Sequence, residues 1–284
     1  MKHTTFSWRT GGEHLNIHGQ VWQPLDPPLA VIALIHGMGE HSGRYRSFAE
    51  FFTDKGFAVV AYDHLGHGKS EGKKGHIVHY NQLLKRIDEL LERIKLTFKG
   101  KPIILWGHSM GGNVVLNYVL KKPSGIKGVV ASSPYLRLAF DPPAYKIKLA
   151  RLMVNLYPGL TQSTGLDPSH ISRDTSVVRA YEKDRLVHNR ISASFFINVF
   201  NAGYYAIKHA NELKIPTLVM HGTGDKITSF AASQEFVDKA NIMAEIKLWE
   251  DLYHEIHNEP ERELVLGYAA DWIKKLISSS NGEE

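Results

Sequence analysis

Short apolar runs separated by helical repeats organise most of this chain. Thr4 to Thr10 and His14 to Gln23 alternate apolar and polar residues on either side of Gly11-Gly12, which predicts a β-hairpin. Val31 to Ile35, Ala58 to Tyr62, Ile103 to Trp106 and Val129 to Ala131 are β-branched or apolar runs of strand length. Between them, Tyr45 to Asp54 and Tyr80 to Phe98 carry helical patterns. Such alternation predicts an α/β fold with a parallel sheet and right-handed crossovers. From about Leu136 to His209 the strand rhythm lapses. Amphipathic helices are expected there, punctuated by Pro142, Pro143, Pro158 and Pro168. The rhythm resumes at Ile215 to Met220, adds a strand over Ile246 to Trp249, and closes with a helix over Leu264 to Ile277. The simplest division is an α/β core of residues 1–135 and 210–284 with a helical cap inserted at 136–209. The polar tail Ser278 to Glu284 is expected to fray.

One motif carries the chemistry. Gly107-His108-Ser109-Met110-Gly111 fits G-x-S-x-G, with a strand pattern before it and a helix pattern after it. A serine on so sharp a strand-to-helix turn is forced into unfavourable backbone angles, and flanking glycines leave room for that. The turn lifts the hydroxyl above the sheet and sets a helix N-terminus beneath it. The alternative is a glycine-rich turn with an incidental serine.

A serine hydroxyl needs a base, and the base needs an orienting acid. On such a fold the chain order is Ser, acid, His, with the last two on loops after later strands. Asp225 follows the strand Leu218-Val219-Met220 directly, whereas Asp141, Asp167, Asp174 and Asp184 lie in the insertion. Only His254 and His257 remain downstream, and His254 comes first after the Ile246-Trp249 strand. Ser109, Asp225 and His254 are therefore the expected catalytic set. Two backbone amides are expected to hold the developing oxyanion. Met110 supplies one, and Met38, in the glycine-flanked turn His36-Gly37-Met38-Gly39, supplies the other.

Composition narrows the rest. The 284 residues contain no cysteine, which excludes disulfides, thiolate catalysis and Cys-ligated metals. The start lacks the apolar run of a signal peptide, and no segment approaches a membrane span, so a cytosolic protein is expected, with membrane contact limited to the surface. The net charge of +5 is spread without a long Lys/Arg run and gives no case for nucleic acid. His64, His67, His76 and His79 have no further ligand at metal-site spacing, so no metal and no cofactor are expected. Tyr145 to Leu156 and Phe195 to Phe200 are apolar at helical spacing. Each can be a helix packed on the core or a lid face turned toward lipid.

With these residues in view, the chain resembles the monoacylglycerol lipases of the α/β-hydrolase superfamily. The resemblance rests on His36-Gly37-Met38-Gly39-Glu40-His41-Ser42-Gly43-Arg44-Tyr45, Asp63-His64-Leu65-Gly66-His67-Gly68, the Ser109 motif, Ser132-Ser133-Pro134, Ser172-Arg173-Asp174, His221-Gly222-Thr223-Gly224-Asp225 and Tyr253-His254-Glu255-Ile256-His257. It implies a mostly parallel eight-stranded sheet flanked by helices, the same catalytic and oxyanion residues, a mobile cap over an acyl tunnel, and a lipid ester substrate. It further implies that Glu40, Arg44 and His257 surround the glycerol head group. Asp184-Arg185-Leu186 departs from it, with an arginine where many relatives carry a proline. The competing readings are a lysophospholipase or broad carboxylesterase, a peptidase, and a non-catalytic receptor on the same fold.

Overall fold

The computed structural model describes residues 1–12, 14–123 and 125–279. Most of the tail expected to fray, Ser280 to Glu284, lies outside them. The hairpin pairs β1 (Lys2–Arg9) with β2 (Asn16–Gln23) in antiparallel register. There follow β3 (Val31–Ile35), α1 (Arg46–Asp54), β4 (Ala58–Tyr62), α2 (Asn81–Thr97), β5 (Ile103–His108), α3 (Met110–Lys121) and β6 (Gly128–Ser132). The inserted stretch holds α4 (Ala144–Leu156), β7 (Thr161–Ser163), α5 (Thr175–Lys183), β8 (Arg190–Ser192) and α6 (Ala193–Lys208). The chain then returns through β9 (Thr217–Gly222), α7 (Phe230–Ala240), β10 (Ala244–Trp249) and α8 (Arg262–Ser278).

Among the described residues the main sheet has eight strands in the order β1-β2-β4-β3-β5-β6-β9-β10. From β4 to β10 every pairing is parallel; only the hairpin side is antiparallel. This is the mostly parallel, eight-stranded α/β architecture expected. Strand alternation divides the core in two. Val31, Ala33, Ile35, Ile103 and Leu105 face α2 and α3, while Ile32, Leu34, Ile104 and Trp106 face α1 and α8. Buried on both faces, these strands need the continuous apolar runs seen in the sequence. All parallel strands end on one edge of the sheet, where loops carry the candidate residues.

The stretch between β6 and β9 corrects one expectation. It contains strands, because β7 and β8 pair antiparallel in a small sheet of their own. Each spans three residues, among them Thr161, Gln162, Ser163 and Arg190, so neither shows an apolar alternation. Its two apolar helices differ in packing. Phe195 and Val199 of α6 are buried in the layer shared with α3. A Cβ at Gly203 would lie 2.2 Å from the Leu136 carbonyl oxygen, so α6 docks at backbone distance. By contrast α4 buries none of its residues, and Leu149, Leu152 and Leu156 are each more than half exposed.

This difference sets a stability test. Phe195→Ala should destabilise the protein by about 3–5 kcal/mol in chemical denaturation, as for a buried aromatic. Leu149→Ala should stay within about 0.5 kcal/mol. Equal effects would mean that α4 is packed as tightly as α6.

Candidate active site

Ser109 sits between the last residue of β5 and the first of α3, at φ 54° and ψ −116°. An L-residue there is strained by about 1–3 kcal/mol. Three backbone bonds hold it. Ser109 N donates to Ser132 O at 2.9 Å, and Ser109 O accepts from Asn113 N at 3.0 Å and Tyr135 N at 2.9 Å. The glycines serve close approach. A Cβ at Gly107 would lie 2.3 Å from Gly111 O, and one at Gly111 would lie 2.0 Å from Ile35 O. Only without those atoms can α3 start this close to β5 and β3.

Asp225, on the loop after β9, is joined to His254, on the loop after β10: Asp225 Oδ2 lies 2.7 Å from His254 Nδ1. An ionised carboxylate only accepts, so Nδ1 carries the proton and Nε2 is left with a free lone pair. Asp225 Oδ1 accepts from Ile227 N at 2.7 Å and Thr228 N at 3.0 Å. Burial alone would raise the Asp225 carboxyl; the charge of His254 and the bonds from His221 and His254 outweigh it and hold the group well below the usual range. Burial would likewise lower His254, but the Asp225 charge and hydrogen bond prevail and raise it. Of the other acids, Asp141 is exposed and the remaining three are occupied elsewhere. Asp167 and Asp174 cap helical turns, and Asp184 binds His41 at 2.8 Å.

Ser109 is brought to the same place by its neighbours. A Cβ on Gly37 would lie 3.3 Å from Ser109 Cβ, and the His108 ring centroid is 4.8 Å from that of His254. The Ser109 hydroxyl makes no hydrogen bond to His254 among the described residues; such bonds commonly tighten only with substrate bound. The Met38 amide lies on the loop after β3 and the Met110 amide at the first residue of α3, and neither is taken up by a hydrogen bond to a described residue.

The three residues assigned to the head group are buried beside this set. His257 stacks on Tyr45 at 5.1 Å, and burial lowers it to about 4. Glu40 and Arg44 are engaged with the protein itself. Arg44 binds Glu40 at 2.8 Å and grips both oxygens of Glu255 at 2.6 and 2.8 Å. Glu40 Oε1 accepts from Gly37 N at 2.6 Å. Burial raises Glu40, whereas the Arg44 charge overcomes burial at Glu255 and holds it down to about 2.

Three participants escaped the sequence reading. His221 Nε2 lies 3.0 Å from Asp225 Oδ2 and its Nδ1 2.8 Å from Ser233 Oγ. Thr228 Oγ1 donates to Asp225 Oδ2 at 2.9 Å. Glu255 is the third. His221 and Glu255 stand inside the quoted motif blocks, so their place beside Asp225 and His254 was the available signal. The Ser172-Arg173-Asp174 block also acquires a location. Ser172 Oγ donates to Asn258 O at 3.1 Å and Arg173 Nε to Glu259 Oε2 at 2.7 Å, tying the insertion to the His254 loop.

Comparison with known proteins gives the family and the fold. The family described as Hydrolase_4, serine aminopeptidase S33, matches residues 26–261. An uncharacterised abhydrolase domain-containing protein of Dictyostelium discoideum is 36% identical over 267 residues, 93% of this chain but only 28% of that protein. A monoacylglycerol lipase of Mycolicibacterium smegmatis is 34% identical over 255 residues, 89% of this chain and 91% of that one. The crystal structure of the Paleococcus ferrophilus monoacylglycerol lipase superposes with a TM-score of 0.82 at 35% identity, covering 98% of this chain and 99% of that one.

The raised His254 fixes a pH dependence. The base works only when neutral, so kcat/KM should fall as pH drops through a midpoint above the ordinary histidine value of 6.5. Asp225→Asn, which cannot hold the same tautomer, should lower kcat about 10⁴-fold. A pH–rate profile with its acid midpoint well under 6.5 would contradict the His254 environment described here.

Proposed function

The chain belongs to the serine aminopeptidase S33 family of hydrolases, on an α/β-hydrolase fold, and from that premise we propose that it cleaves monoacylglycerols to fatty acid and glycerol. Ser109 Oγ attacks the ester carbonyl while His254 Nε2 takes its proton. The oxyanion accepts hydrogen bonds from the Met38 and Met110 amides. As the tetrahedral intermediate collapses, His254 returns the proton to the glycerol oxygen, and an acyl-serine remains. Water then repeats the relay and frees the acid. The observation that carries this reading is the buried Asp225–His254 pair beside a serine held at φ 54°. Similarity to two monoacylglycerol lipases supports the substrate class. No cofactor enters any step.

We place the glycerol end against Arg44 and His257, with Glu40 beneath. Arg44 also argues against an aminopeptidase. A substrate amine needs a free carboxylate, and the guanidinium already pairs with both Glu40 and Glu255. We further propose that residues 136–209 act as a cap. No helix among the described residues is long and apolar enough to cross a membrane. Exposed α4 offers a shallower contact. Between Asp141 and Asp167 there is no acidic residue, while Lys146, Lys148 and Arg151 sit among the exposed leucines. Each such base adds up to about 1 kcal/mol of attraction to an anionic surface. The protein would thus work at the face of a membrane.

Two measurements test these assignments. Ser109→Ala should lower monoacylglycerol turnover by about 10⁴–10⁶ while leaving the melting temperature near its original value. A folded variant with near-normal turnover overturns the reading, and preferential turnover of lysophospholipid by the unmodified protein redirects the substrate class. Leu149→Ser with Leu152→Ser should reduce activity on emulsified substrate more than on a soluble short-chain ester, and vesicle binding should weaken with added salt. Equal losses on both substrates, with no vesicle binding, would remove the lipid contact.

A further inference from the structure

The proton relay makes no use of a buried ion network that lies beside it. Arg44 pairs with Glu255 through two parallel bonds and with Glu40 through a third. The side chains are at most 10% exposed. Glu40 Oε1 then accepts from Gly37 N at 2.6 Å and from Tyr45 Oη at 2.8 Å. Each end of this chain of bonds adjoins a reacting group: Glu255 follows His254, and Gly37 precedes Met38. The loops involved leave β10 and β3, strands four places apart in the sheet. At about 4.8 Å per strand that is a separation of about 19 Å between their frames. Such loops have no shared backbone ladder to keep them in register.

A buried ion pair is a weak source of stability, since hydrophobic replacements of similar volume are often as stable. Its planar, bidentate geometry is demanding, however. We infer that Glu255 is a positioning residue: through Arg44 and Glu40 it sets the distance between the His254 base and the Met38 amide. The inference rests on the proposed roles of Ser109, His254 and Met38. Glu255 is itself anchored, because its backbone N donates to Ile171 O at 2.7 Å and its Oε2 accepts from Asn258 Nδ2 at 2.7 Å.

The test is Glu255→Gln in the full chain, assayed on a monoacylglycerol and on p-nitrophenyl acetate, which has no glycerol. Glutamine keeps the shape but cannot hold the guanidinium with two charged oxygens. We expect kcat to fall 10- to 100-fold on both esters, as for a misplacement of about 1 Å, with KM changed less than about twofold. Labelling of Ser109 by a fluorophosphonate should slow in proportion. The pH profile gives a second readout. Asp225 faces His254 from the loop after β9, His108 from β5, Glu40 from the loop after β3 with Arg44 behind it, and Glu255 and His257 from its own loop. Asp225, Glu255 and Glu40 all favour the imidazolium, so losing the Glu255 charge should move the acid limb to lower pH. Glu255→Asp, which keeps the charge, should leave the limb in place and recover part of kcat. It also carries the kinetic test should Glu255→Gln fail to fold.

A raised KM for monoacylglycerol with kcat on both esters untouched would confine Glu255 to supporting the head-group contact of Arg44 and overturn the positioning role. So would a kcat loss with a lowered melting temperature and an unmoved acid limb, which marks a merely structural role. Should Ser109→Ala retain activity, the nucleophile assignment fails. Should Ser109→Ala be dead and Glu255→Gln unaltered, only the positioning role fails.

Discussion

The strained backbone of Ser109 is the constraint on which the arrangement depends. A residue at φ 54° relaxes unless its surroundings over-determine it. Here β5 runs in the middle of the sheet with both faces covered, so the strand cannot shift. On the far side α3 is wedged against β3, where the missing side chain of Gly111 lets it come within contact of the Ile35 carbonyl. Strand, helix and the three backbone bonds to Ser109 therefore share one geometric solution. The loops after β3, β9 and β10 are arranged around the point this solution defines.

Electrostatics then separates two histidines that differ by three positions in the chain. Both are buried, and burial disfavours the charged form of each. His254 has an ionised carboxylate at 2.7 Å and is raised, whereas at His257 burial, reinforced by the Arg44 charge, outweighs Glu255 and lowers the ring to about 4. One imidazole thereby gains affinity for a proton, and the other stays neutral as a wall. Asp225 can serve the first because His221 and Thr228, as well as two backbone amides, satisfy its remaining lone pairs. A buried carboxylate with fewer donors would be drawn toward protonation.

Much of this was legible in the chain. Continuous apolar runs such as Val31 to Ile35 reveal strands covered on both faces, and strand order assigns Asp225 and His254 to neighbouring loops. The small sheet of β7 and β8 was hidden because three-residue, largely polar strands leave no periodicity. The pairing of Arg44 with Glu255 was hidden for another reason. The partners are 211 positions apart, and a charged residue in a loop looks solvated until folding buries it. The same holds for Glu40, whose grip on Gly37 depends on the turn closing. Periodicity reports which face of an element is covered; it does not report which long-range partners satisfy a buried charge.

The insertion is stitched to the rest at both ends of α5. Ile171 O receives Glu255 N at 2.7 Å, and His188 N donates to Gly39 O at 2.9 Å. Within the stretch from Phe140 to Leu166, β7 pairs with β8 and Thr164 N donates to Asn189 O at 2.7 Å, whereas no residue of α4 is fully buried. For protein engineering this makes the outward face of α4 the exchangeable part. Leu149, Leu152 and Leu156 can be rewritten to meet a different surface without touching Ser109, Asp225 or His254. What the outer helix touches and how the buried carboxylate–imidazole pair is held can then be varied separately in one chain.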